Sequence, residues 1–145
     1  MRYTLLFSIL LLLATSCNKD KFSSTPTLKF ESVNTTGLHN QQLLTFTLSF
    51  EDAEGDIMDS IYVQEIVPNC PGSNLDGLFP IPAFPATKNQ KGTINVNLGY
   101  NLSSYTSISP QCAQNDTAIF RFAIRDLANH VSDTVSSPPI ILYYP

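Results

Sequence analysis

Leu44-Thr45-Phe46-Thr47-Leu48-Ser49-Phe50 sets an apolar side chain at every second position and a hydroxyl-bearing residue between each pair. Successive side chains of a strand point to opposite faces, so this period of two describes one strand with a buried face and a wetted one. Outward from it, the alternation recurs in Ile94, Val96 and Leu98 against Asn95 and Asn97, and in Ala118, Phe120, Phe122 and Ile124 against Arg121 and Arg125. Ile61, Val63 and Glu65, opposed by Tyr62, Gln64 and Ile66, make a less regular strand. Leu28, Phe30 and Ser32 read as a first strand, and residues 131–135 with 140–144 as a last one, in which Pro138 and Pro139 mark a bend or an edge because neither can donate to a ladder. No window of eleven or more residues carries a helical period. Short strands with turn-rich joins predict an all-β fold, an antiparallel β-sandwich of about seven strands over residues 28–145.

The N-terminus reads differently. Arg2 precedes an apolar run from Leu5 to Leu13, followed by Ala14-Thr15-Ser16 and then Cys17. A positive start, about 7–15 apolar residues and a small-residue cleavage site make a secretory signal. With Cys at the first mature position, the segment resembles a bacterial lipoprotein signal. That resemblance implies cleavage after residue 16, lipidation of Cys17, and a polypeptide held to a membrane by acyl chains. Ordinary cleavage near Ser16 with Cys17 incidental is one alternative. A retained anchor helix is the other, although crossing a bilayer takes about 20 apolar residues. Ala14 and Ser16 depart mildly from the usual lipoprotein pattern. Asn18 stands where Asp would retain some Gram-negative lipoproteins at the inner membrane, so the expected address is the outer membrane, on a face left open. Residues 17–27, through Asn-Lys-Asp-Lys-Phe-Ser-Ser-Thr-Pro-Thr, read as the lipidated Cys and a flexible tether.

Removing residues 1–16 leaves 129 of 145, enough for one domain with its own core. That portion carries 7 basic against 12 acidic residues with no basic cluster, which excludes nucleic acid as an expected partner. Once Cys17 is acylated, Cys70 and Cys112 remain in an oxidising compartment, where two leftover thiols pair. Their bridge would close a loop of about 43 residues, worth roughly 4 kcal/mol in the chain-entropy account. Neither cysteine sits in a CxxC pair, and His39 and His130 show no metal-ligand spacing to each other or to a cysteine.

Two loops carry the functional question. The strand ending at Phe50 runs into Glu51-Asp52-Ala53-Glu54-Gly55-Asp56-Ile57, and the strand ending at Ile124 into Arg125-Asp126-Leu127-Ala128-Asn129-His130-Val131-Ser132-Asp133. These stretches resemble the loops of bacterial immunoglobulin-like and cadherin-like envelope modules. The resemblance implies an immunoglobulin-like sandwich in which both loops lie at one end, bringing Asp52, Glu54, Asp56 and Asp126 together. Calcium takes six to eight oxygen ligands, so these four are the candidate metal ligands, with calcium the one candidate cofactor. The loop is not an EF-hand, and Asp and Gly also favour turns for backbone reasons alone, so plain solvated turns are the competing reading. Paired carboxylates for glycoside cleavage are disfavoured by the lack of any tryptophan to stack on a sugar.

Residues 68–91 form the least regular part. Leu78-Phe79-Pro80-Ile81-Pro82-Ala83-Phe84-Pro85 mixes apolar side chains with three prolines, which resists a central sheet position. It is expected to drape over an open edge or end of the sandwich, or else to offer an apolar patch to a partner. Asp59-Ser60-Ile61, Asp116-Thr117-Ala118 and Asp133-Thr134-Val135 resemble the Asp-(Ser/Thr)-apolar acceptors of Gram-negative O-glycosylation, making Ser60, Thr117 and Thr134 candidate modification sites. No catalytic signature appears. The expected function is a non-catalytic binding or structural role in the cell envelope, with membrane contact through the lipid and an envelope protein or glycan as partner. A calcium-dependent adhesion or assembly module and a glycan-binding accessory of an uptake complex are the alternatives.

Overall fold

The chain is described by a computed structural model over residues 23–70, 72 and 75–145. The expected signal segment 1–16, Cys17 and the first part of the expected tether lie outside the described residues. Every regular element among the described residues is a strand. In chain order they are β1 (Thr27–Val33), β2 (Gly37–Leu38), β3 (Leu43–Asp52), β4 (Ser60–Ile66), β5 (Asp76–Pro80), β6 (Gln90–Tyr100), β7 (Thr106–Ile108), β8 (Asp116–Arg125), β9 (Val135–Ser136) and β10 (Ile140–Leu142).

One sheet runs β1-β3-β6-β7; the other runs β2-β10-β8-β4-β5, with β9 also beside β8. The layout follows an immunoglobulin-type sandwich: β1, β3 and β6 stand as strands A, B and E, while β4, β8 and β10 stand as C, F and G. The first strand is divided between the sheets, leaving the β1 ladder and resuming as β2 beside β10. Two short pairings, β2 with β10 and β6 with β7, are parallel, so the sheets are mixed where the pattern of alternation called for antiparallel pairs throughout. The count also exceeds about seven, because β2, β5, β7 and β9 are brief edge segments that carry no readable period.

The alternating stretches become the central ladders. Leu44, Phe46, Leu48 and Phe50 all point inward from β3, and β8 answers with Ala118, Phe120, Phe122 and Ile124. The Phe46 ring lies 5.0 Å from that of Phe120 and 5.1 Å from that of Phe122, so the two sheets meet through aromatic faces at the middle of the core. Each such ring removes on the order of 150–250 Å² from water, which makes this trio a main source of the sandwich's stability. The last strand is broken where Pro138 and Pro139 fall, into β9 and β10. Cys70 and Cys112 are bonded, with Cα atoms 6.1 Å apart, stapling the β4–β5 connection to the segment before β8.

The proline-bearing stretch is partly a strand. Among the described residues β5 pairs with β4 alone, from Ser60↔Pro80 to Gln64↔Asp76, an edge position that tolerates proline. Ile81 is buried and Phe79 and Phe84 pack against the core, whereas Leu78 is 54% exposed.

Candidate metal centre

Asp52 ends β3, and the chain turns at once. The Asp52 carboxylate accepts the backbone N–H of Gly55 at 2.6 Å and of Asp56 at 3.0 Å through one oxygen, Oδ2. That turn requires glycine: Gly55 has φ +72°, and a Cβ there would stand 1.9 Å from the Thr87 carbonyl oxygen. The turn aims Asp56 back beside Asp52, and the carbonyl of Asp56 accepts the N–H of Leu127 at 3.2 Å, tying this loop to the one after β8. Asp126 is held in place from its own side. Its Oδ1 accepts the His130 backbone N–H at 2.7 Å, and its Oδ2 lies 2.9 Å from His130 Nδ1.

The outcome is a set of carboxylate oxygens from Asp52, Asp56 and Asp126 that all lie within 4.8 Å of one another. Asp52 and Asp126 are each 1% exposed. Asp52 Oδ1 and Asp56 Oδ1 are buried and accept no hydrogen bond from any described residue. Burial, then the charges of Asp126 and Asp52, push the Asp56 carboxyl above its ordinary range. Three acids in one buried spot repel unless a proton or a cation lies among them, and an unpaired buried carboxylate oxygen carries a desolvation cost. A hard cation with oxygen ligands fits the donors: the three acids supply the charge, and water or carbonyl oxygens would complete a shell of six to eight.

Of the four candidate ligands, the fold assembles three. Glu54 stands at the crest of the turn with its side chain exposed, so it is outside the cluster; its charge reaches His130 instead. His130, without ligand spacing in the sequence, is the partner of Asp126, and that hydrogen bond raises the imidazole's proton affinity. Cys70, Cys112 and the buried Asp116 also lie close together, but both sulfurs are spent on the disulfide. Asp116 serves the backbone: its carboxylate accepts the N–H groups of Gln111 and Cys112. Buried Glu65 accepts Gln111 Nε2 at 3.3 Å; its place in the inward phase of β4 was the available signal for that burial. Arg125 and Asp59 form an ion pair that no motif indicated.

Among the candidate modification sites, Thr117 and Thr134 are exposed. Ser60 is 6% exposed with its hydroxyl bonded to Asp59 at 2.8 Å, so the folded protein hides it: Ser60 opens β4 with its side chain turned inward.

No protein-family model matches the chain, and no curated protein does. Among solved structures, it is similar to the sporulation control protein Spo0M from Bacillus subtilis at 7% identity, covering 85% of this chain and 51% of that one with a TM-score of 0.46. It is also similar to a Niemann-Pick type C2 protein from the Japanese carpenter ant, at 10% identity over 84% of this chain and 97% of that one, TM-score 0.43. A β-glucosidase from Listeria innocua matches at 14% identity over 86% of this chain and 17% of its own length, TM-score 0.43. The chain thus spans about half the length of the Spo0M chain it matches.

Proposed function

We propose that this chain is a non-catalytic module of a bacterial cell envelope, tethered to the outer membrane through a lipidated Cys17, whose loop end is organised by a calcium ion for binding or assembly. The observation that carries the calcium part is the convergence of Asp52, Asp56 and Asp126 from two separate loops, with two buried oxygens that no described residue satisfies. The loops after strands B and F lie at one end of such a sandwich, the end at which variable domains recognise their targets. A cation there would stiffen a recognition surface and leave the core untouched. The lipid part rests on the sequence around Cys17.

The test is thermal melting of the purified full chain in EDTA and in millimolar Ca²⁺. A ligand present at 100 times its Kd stabilises by about 2.7 kcal/mol, which for a domain of this size raises the Tm by roughly 8 °C or more. Superimposable melts would defeat the calcium reading. Growth with labelled palmitate tests the anchor separately: label is expected on the polypeptide and lost in Cys17→Ser.

A further inference from the structure

The two sheets are not closed along one side. Among the described residues, β5 has β4 as its only strand neighbour, and β6 pairs on its outer side only over Leu98–Tyr100, with β7. Between these two free edges opens a slot of about 430 Å³. Its walls are Phe50, Ile61, Val63, Phe79, Ile94 and Val96 from the two inner faces, and the segment after β5 closes one end, where the Phe84 ring stacks 6.3 Å from that of Phe50. The lining follows β6 from Thr93 to Leu98, a run of about 16 Å at the rise of a strand. No charged residue lines it; its polar members are Thr93, Asn95, Asn97 and Thr106, along the β6–β7 side. Protein interiors carry few voids larger than a water molecule, and apolar walls left open to water are stabilised when an apolar guest covers them.

We propose that this slot holds one long alkyl chain, from a fatty acid or another single-chain amphiphile, lying along β6 with its polar head at the mouth between β5 and β6. A run of that length, walled by apolar side chains and without a charged group, suits an extended chain better than a sugar or a compact polar metabolite. The uncharged walls leave any carboxylate head in water, so the tail supplies the recognition. Residues outside the acidic cluster build the site, and it stands whether or not calcium binds.

The full chain, kept in its membrane fraction, is incubated with a palmitate analogue bearing a diazirine near the tail end, irradiated, digested and mapped by mass spectrometry. Label is expected on residues 79–84 and 93–98, to compete equally with palmitate and hexadecanol, and to fall at least tenfold in Ile94→Trp, whose larger side chain fills the slot. Intact Cys70–Cys112 bonding and unchanged protease resistance show that this variant is folded; if either fails, Phe84→Trp, at the closed end, takes its place. Label scattered over the exposed faces, competition by palmitate but not hexadecanol, or undiminished label in a folded, filled variant would overturn the proposal.

Discussion

At the scale of single residues, Gly55 and Asp56 have separable roles. Gly55 makes the turn possible, so Gly55→Ala must either move the backbone of Thr87 or abandon a left-handed conformation. We expect a loss of about 2–4 kcal/mol in urea unfolding, with or without calcium, as for other strained-backbone substitutions. Asp56 contributes charge, and without a cation that charge is pressed against two like neighbours. Asp56→Asn is therefore expected to melt at the same temperature as the native chain or higher in EDTA, and below it in Ca²⁺. A lower melt in EDTA as well would show that the carboxylate holds the fold and not a metal.

Single elements show what the sequence disclosed. β3 was legible because one face of it is buried along its whole length, and β6 and β8 because their apolar residues alternate over Ile94–Leu98 and Ala118–Phe122, although Ile94 is only partly buried and both strands lose the alternation toward their ends. β5 was not, since an edge strand with Leu78 in solvent and proline at its end obeys neither period nor propensity. β2, β7 and β9 are two or three residues long, too short to hold a pattern. For the acidic cluster, the meeting of the two loops was what the resemblance to an immunoglobulin-like sandwich implied, but Glu54 could not be separated from its neighbours, because the left-handed turn at Gly55 decides which side chains of that loop face inward. Between β4 and the end of β8, the Arg125 guanidinium, with help from the Ser60 hydroxyl, holds the Asp59 carboxyl below its usual range. A depressed folded value means that the pair contributes above the unfolded value, about pH 3.9, and its contribution disappears as pH falls through the folded one. Asp59→Asn should accordingly be less stable than the native chain at pH 6 and equal to it near pH 2, in urea titrations at both. The bridge between Cys70 and Cys112 joins two irregular connections that share no ladder, and the double Cys70→Ser, Cys112→Ser variant is expected to lose about 4 kcal/mol.

For the whole molecule, the division of the first strand between the sheets has a mechanical meaning. β2 runs parallel to β10, next to the last residues of the chain. Tension applied at the two ends pulls β2 and β10 in opposite directions along their length, so their hydrogen bonds are loaded in shear and must rupture together. A hairpin pulled from its open end would instead unzip one bond at a time. Once that patch yields, the covalent bridge keeps 42 residues from paying out, which shortens the extension by about 140 Å. Single-molecule pulling should show one force peak whose contour length grows by that amount under reductant. Tethered as proposed through Cys17, the globule would thus hold together under a pull on its two ends, and extend only part way when it does give.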